Sequence, residues 1–191
     1  RMQGPIVTCF SERNPDPGKI TDLQYQLKRF HSFLWLSGGS VSDFSIHNID
    51  ECCWFKGAWP VEARASGGRH FRGDYIDQNF DSYAIEYTFP DGTALHMEQR
   101  NMVGCEQNFA SYAHGTKGVG VITNSSHTPS LCRLYRGHHI HPIPRQRRSK
   151  SGGPSAPRPI PAHEDLLWAA EQPEPSPYDT EWEVLIDAIQ N

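Results

Sequence analysis

Ser42-Asp43-Phe44-Ser45-Ile46-His47-Asn48-Ile49-Asp50 is the stretch on which the reading of this chain turns. Gly38 and Gly39 precede it, and Ser40 or Ser42 can cap a helix that runs to about Phe55, with Gly57 ending it. Ile46, Ile49, Cys53 and Trp54 build the apolar face of that helix. Asp43 and His47 are four apart, so their side chains share a face, and Asp50 continues the stripe. A carboxylate beside an imidazole stabilises the imidazolium and fixes the ring. Both effects suit a general acid/base that moves the proton of a hydroxyl during alcohol–ketone interconversion. On the bare pattern, a helix-start Asp with a structural His is the commoner arrangement.

Upstream, Pro5 to Phe10 reads as a short strand, followed by the turn Asn14-Pro15-Asp16-Pro17-Gly18. Leu23 to Trp35 carries Leu27, Phe30 and Leu34 at helical spacing. Downstream the period changes. Val61 to Ala65 and Tyr83 to Phe89 alternate as strands, Pro90-Asp91-Gly92 is a hairpin turn, and Thr93 to Arg100 returns. Asn108 to His114 and Val119 to Thr123 flank a second turn, Gly115-Thr116-Lys117-Gly118. Connections this short predict a largely antiparallel sheet. From about 142 to 177 the chain is rich in Pro, Gly and Ser and reads as an irregular surface excursion. Tyr178 to Ile189 reads as a closing helix with Trp182, Leu185, Ile186 and Ile189 on one face.

The bulk numbers narrow the function classes. The 191 residues suffice for one domain with a real core, and residues 1–191 are read as a single domain. At 37% hydrophobic and a formal net charge of -4, nothing favours a nucleic-acid or anionic-membrane partner. No apolar run is long enough to span a bilayer. Five cysteines without a framework spacing argue against a disulfide-stapled secreted module, and Cys52 and Cys53 are read as small apolar packing residues. A cytoplasmic location is favoured, or export if a leader lies upstream of Arg1, where the chain reads as an excerpt.

Two other motifs carry weaker signals. Gly115-Thr116-Lys117-Gly118 lacks the full phosphate-loop spacing and reads as a β-turn. His127, Cys132, His138, His139 and His141 match no metal-ligand spacing closely, so no metal is assigned. Arg69, Arg100 and Lys117 are possible hydroxyl or anion contacts, each equally readable as a surface charge.

The order of features resembles the C-terminal domain of the Gfo/Idh/MocA oxidoreductase family. The resemblance is carried by Ser42 to Asp50, then Trp54, Gly57, Pro60 and Gly67-Gly68-Arg69. It continues through Tyr87 to Gly92, Arg100, the turn at 115–118 and the closing helix. It implies an α+β unit with an open, mostly antiparallel β-sheet and helices packed on one face, the Rossmann domain lying outside this chain. It also implies a nicotinamide-dependent enzyme that moves hydride to or from a sugar, cyclitol or glycoside carbon. NAD or NADP would be held mainly by the absent domain, and no cofactor-binding residue is assigned here. By the same resemblance His47 is the acid/base, and Asp43 orients it, holds a substrate hydroxyl, or both. Arg69 and Arg100 join them as substrate-binding residues, and the sheet serves a homo-oligomer. Ser45 departs from the Gly of many relatives, and the Pro-rich excursion resembles a largely uncharacterised bacterial subgroup. The alternative is a catalytically silent relative kept as a binding or oligomerisation module. A metal-assisted lyase or isomerase using the His cluster is the third reading.

Overall fold

The structure, a computed structural model, describes residues 2–3, 14–102, 105, 108–124, 128–143 and 159–191. The strand expected over Pro5 to Phe10 and His127 lie outside the described residues. The chain divides into two compact units, 1–111 and 112–191.

In the first unit, β1 (Met2–Gln3) is followed by α1 (Asp22–Lys28), a 3-10 turn (Phe30–Ser32), α2 (Leu34–Ser37), a π turn (Val41–Ser45) and α3 (Ile46–Lys56). The sheet follows as β2 (Glu62–Gly68), β3 (Ser82–Thr88) and β4 (Ala94–Arg100), in the order β1-β4-β3-β2. The β2–β3 and β3–β4 pairs are antiparallel, and β1 adds to β4 in parallel.

The single helix expected over Leu23 to Trp35 is broken in two places. Thr21 caps α1 through a capping box with Gln24. Arg29 then leaves helical geometry at φ -115, and Phe33 is extended. The break is stabilised from outside: Gln78 Oε1 accepts the Leu34 N–H at 2.7 Å, and Ser32 C=O accepts from Gln78 N–H at 2.9 Å. A helix N-terminal donor is thereby satisfied by a distant side chain, which periodicity cannot reveal. α3 ends at Gly57, in the left-handed region at φ 67.

α3 packs on the sheet through Ile49 and Cys53, which join Phe89 in a buried cluster flanked by Val41, Ala58, Tyr87 and Leu95. Cys53 is apolar packing, as the sequence predicts. Burial, then the nearby Glu51 carboxylate, pushes the Cys52 thiol up to about 11, so it stays protonated and inert at neutral pH.

The second sheet has the order β5-β6-β7-β8, from β5 (Ala110–His114), β6 (Gly118–Asn124), β7 (Arg133–Arg136) and β8 (Leu166–Ala169). Both β6–β7 and β7–β8 are antiparallel. The α+β class with open, mostly antiparallel sheet structure is as expected, with the strands shared between two four-stranded sheets. β8 falls inside the stretch read as an irregular excursion, where four residues are too few to show a period. Gly115 N–H donates to Gly118 C=O at 2.9 Å, closing the β-turn chosen over a phosphate loop.

Gly118 is required by close approach. A Cβ there would lie 2.3 Å from the Tyr135 carbonyl oxygen on the paired strand. Gly118→Ala is expected to destabilise the chain by about 1–3 kcal/mol, read as a lower urea midpoint with an unchanged slope.

α4 (Pro177–Gln190) starts at Ser176, whose hydroxyl caps Asp179 N–H, with Pro177 in the first turn. Its apolar residues share a face as expected, and the helix buries none of them. No helix among the described residues is long and apolar enough to cross a membrane.

Candidate active site

Asp43 lies in the π turn and His47 in the first turn of α3. Asp43 is half-buried and His47 exposed. The group that fixes Asp43 is one the sequence reading missed. His31, in the 3-10 turn, donates from Nδ1 to the Asp43 carboxylate. The His31 ring lies 3.8 Å from the Phe30 ring and 5.2 Å from that of Phe44, centroid to centroid. The site therefore holds two imidazoles around one carboxylate's segment, rather than one pair on a regular helix.

A line of buried polar side chains runs beneath it. Ser45 Oγ donates to Gln99 Oε1. Gln99 Nε2 donates to Asn101 Oδ1 at 3.0 Å, and Asn101 Nδ2 donates to Ser40 Oγ at 2.8 Å. Asn79 Oδ1 accepts the Ser40 N–H at 2.9 Å, and Asn79 Nδ2 donates to His31 C=O at 2.7 Å. Ser40, Ser45, Asn79, Gln99 and Asn101 are each at most 1% exposed. Buried polar groups satisfied in this way hold one geometry, because any displacement strands a donor or acceptor in low dielectric. The line ties the backbone of His31 to both ends of the turn that carries Asp43. Ser45, read from sequence only as a departure from Gly, is one of its links.

Gly39 belongs to the same frame. It sits at φ 84, and a Cβ would come within 2.5 Å of Leu34 Cδ2 and 3.2 Å of Asn79 Oδ1.

The loop between β2 and β3 carries Asn79 and is knotted by charge. Asp77 Oδ1 accepts from Arg69 Nη1 at 2.9 Å, Asp77 Oδ2 forms an ion pair with Arg72 Nη1 at 2.9 Å, and the Arg72 and Asp77 side chains are fully buried. Arg69 Nη1 also reaches the Asp77 and Asn79 carbonyls, and Nη2 the Tyr75 carbonyl. Asp81 Oδ2 accepts the backbone N–H groups of His70, Phe71 and Arg72 at 2.6, 2.5 and 3.2 Å. Arg69, read from sequence as a substrate contact, thus has its guanidinium engaged in bracing this loop. Arg100 is the last residue of β4, half-buried and opposite Ser82.

No family model matches the sequence, and no curated protein matches it. Among solved structures, the chain is similar to UDP-N-acetylglucosamine 3-dehydrogenase from Acidithiobacillus ferrooxidans, at 16% identity and a TM-score of 0.53, over 99% of this chain and 44% of that one. It is also similar to aldose-aldose oxidoreductase from Caulobacter crescentus complexed with glycerol, at 18% identity and a TM-score of 0.48, over 76% of this chain and 39% of that one. An NAD-binding protein from Listeria innocua matches at 21% identity and a TM-score of 0.41, over 78% of this chain and 38% of that one. The chain spans less than half the length of each of these proteins. The first of the three shares the fold of this chain over nearly all of it, and that fold is the one the Gfo/Idh/MocA resemblance implies.

Proposed function

We propose that this chain is the substrate-binding and catalytic half of a nicotinamide-dependent oxidoreductase of the Gfo/Idh/MocA type, acting on a hydroxyl of a sugar, cyclitol or glycoside. The observation that carries this reading is the braced turn that presents Asp43 with His47 following on α3. An imidazole on the same short segment as a carboxylate suits the proton half of alcohol oxidation. His47 accepts the hydroxyl proton as the carbinol carbon loses hydride, and returns it in the reverse direction. Asp43 orients the imidazole and accepts from a substrate hydroxyl. The nicotinamide, when bound, supplies the hydride acceptor or donor. Its nucleotide is assigned to a second domain, because the described residues offer carboxylate and imidazole rather than a glycine-rich phosphate turn. Arg100 and Arg69 are carried forward as substrate contacts, Arg69 by exchanging one of its loop acceptors.

His31 enters as a positioning residue that acts through Asp43. In the complete protein, His31→Gln is expected to lower kcat about 10–100-fold with little change in KM, through a misplaced carboxylate. A change confined to KM would instead make His31 a substrate contact. A homo-oligomer through the first sheet, whose edge strand β2 is exposed from Glu62 to Gly67, belongs to the same proposal. Sedimentation velocity checks it, and a monomer at micromolar concentration contradicts it.

The silent-module alternative is separated by one assay. A panel of aldoses, cyclitols and glycosides is offered to the complete protein with NAD or NADP, and nicotinamide absorbance is followed. Turnover that Asp43→Asn abolishes is expected. A complete protein that binds the nucleotide yet turns over no member of the panel favours the module.

A further inference from the structure

The second unit gathers a separate set of chemical groups, remote in sequence from Asp43 and His47. His141 follows β7, and His163 and Asp165 precede β8. One donor atom from each of the three lies within 4.8 Å of the others. Asp165 Oδ2 is the shared corner, 3.8 Å from His141 Nε2 and 3.7 Å from His163 Nδ1. The rings of His141 and His163 stack with centroids 3.5 Å apart, and the His139 ring meets His141 edge-on at 4.5 Å.

We infer that His141, His163 and Asp165 form a binding site for a divalent cation of the zinc class. Bonds of about 2.0–2.2 Å in a tetrahedron separate donor atoms by about 3.3–3.6 Å, so the two carboxylate spacings close with a shift of a few tenths of an ångström, and the imidazoles rotate out of their stack to bring both nitrogens to the ion. Two imidazoles and one carboxylate form a borderline-soft set that suits zinc better than calcium or magnesium. Three protein ligands leave a fourth position for water.

Two further observations fit. His141 Nε2 is buried with no hydrogen-bond partner among the described residues, a cost that a coordinated ion removes. The scaffold is held by backbone bonds that need no ion: Arg136 N–H donates to Asp165 C=O at 2.8 Å, and Leu166 N–H to His163 C=O at 3.0 Å. His163 Nδ1 accepts the Asp165 N–H at 3.1 Å, so an ion at that nitrogen displaces one backbone bond. The consequence is a clip. It joins the chain leaving β7 to the chain entering β8.

The test uses the full chain, stripped with a chelator and titrated with Zn2+ against a chromogenic competitor. One Zn2+ per chain is expected, bound at least about tenfold more weakly by His163→Ala and by Asp165→Asn. His138→Ala, which alters an exposed neighbour, is expected to bind as the parent does. His163 is exposed and Asp165 half-buried, so circular dichroism is expected to show both variants folded. Co2+ is expected to give the intense visible bands of a four-coordinate site, lost in Asp165→Asn. Equal Zn2+ affinity in parent and both ligand variants, or no uptake against the competitor, overturns the site.

Discussion

In the complete protein, His47→Ala is expected to lower kcat by about 10²–10⁴-fold while leaving the affinity for the nicotinamide nucleotide nearly unchanged. The proposed division of labour requires this split. The nucleotide is assigned to the other domain, and His47 is assigned only the hydroxyl proton. A group that acts in the transition state lowers kcat and kcat/KM together when removed, whereas a group that only binds substrate raises KM. Stopped-flow absorbance for turnover and calorimetric titration of the nucleotide give the two readings. Unaltered turnover rejects His47 as the acid/base. The His31→Gln result then becomes informative, because His31 is the second imidazole in contact with the Asp43 segment.

Asp77→Ala is expected to be the most destabilising single change in the first unit, by about 3–5 kcal/mol. The Arg72–Asp77 pair is fully buried, and Asp77 also accepts from Arg69. Removing the carboxylate leaves the Arg72 guanidinium in low dielectric without its counter-charge, and that stranded charge sets the cost. Asp77→Asn keeps one of the two oxygens and most of the side-chain volume, and is expected to cost less than Asp77→Ala while still leaving Arg72 without its counter-charge. Equilibrium urea unfolding of both variants checks the order. A loss below about 1 kcal/mol for Asp77→Ala would place the pair in the range of solvated surface ion pairs, against the observed burial. The same substitution is expected to lower activity, since the loop it loosens carries Gln78 and Asn79, which brace Leu34 and His31.

The parts of this fold that local pattern determines were legible. Tyr87 to Gly92 reads as a strand entering a tight turn because alternation and a turn residue coincide, and β3, the turn and β4 lie there. The body of α3 and its stop at Gly57 follow from an apolar stripe and a left-handed glycine, whereas the cap expected of Ser40 or Ser42 does not form: neither the π turn nor α3 begins with a side-chain cap, and Ser40 bonds Asn79 and Asn101 instead. Tertiary bonds decided what was not legible. The break between α1 and α2 depends on Gln78, 44 residues further along. The partner of Asp43 lies twelve residues upstream in a short 3-10 turn, outside any helical spacing. Local wider winding of the π turn also loosens the i, i+4 argument that first joined Asp43 to His47.

The histidine cluster shows the same limit. Of the residues gathered from the sequence, His141 and His139 meet, while Cys132 donates its thiol to the Ile122 carbonyl. His163 and Asp165, which complete the group, stand beyond the Pro-rich segment and carry no ligand spacing relative to His141. Arg69 was legible as a cation but not as the brace of its own loop, because its acceptors are mostly backbone carbonyls.

The most direct measurement is calorimetric titration of NAD, NADH, NADP and NADPH into these 191 residues and, in parallel, into the complete protein. Binding by the complete protein and none by the 191 residues is the expected result. Tight nicotinamide binding by the 191 residues alone would contradict the assignment of substrate chemistry to this chain and nucleotide binding to another domain.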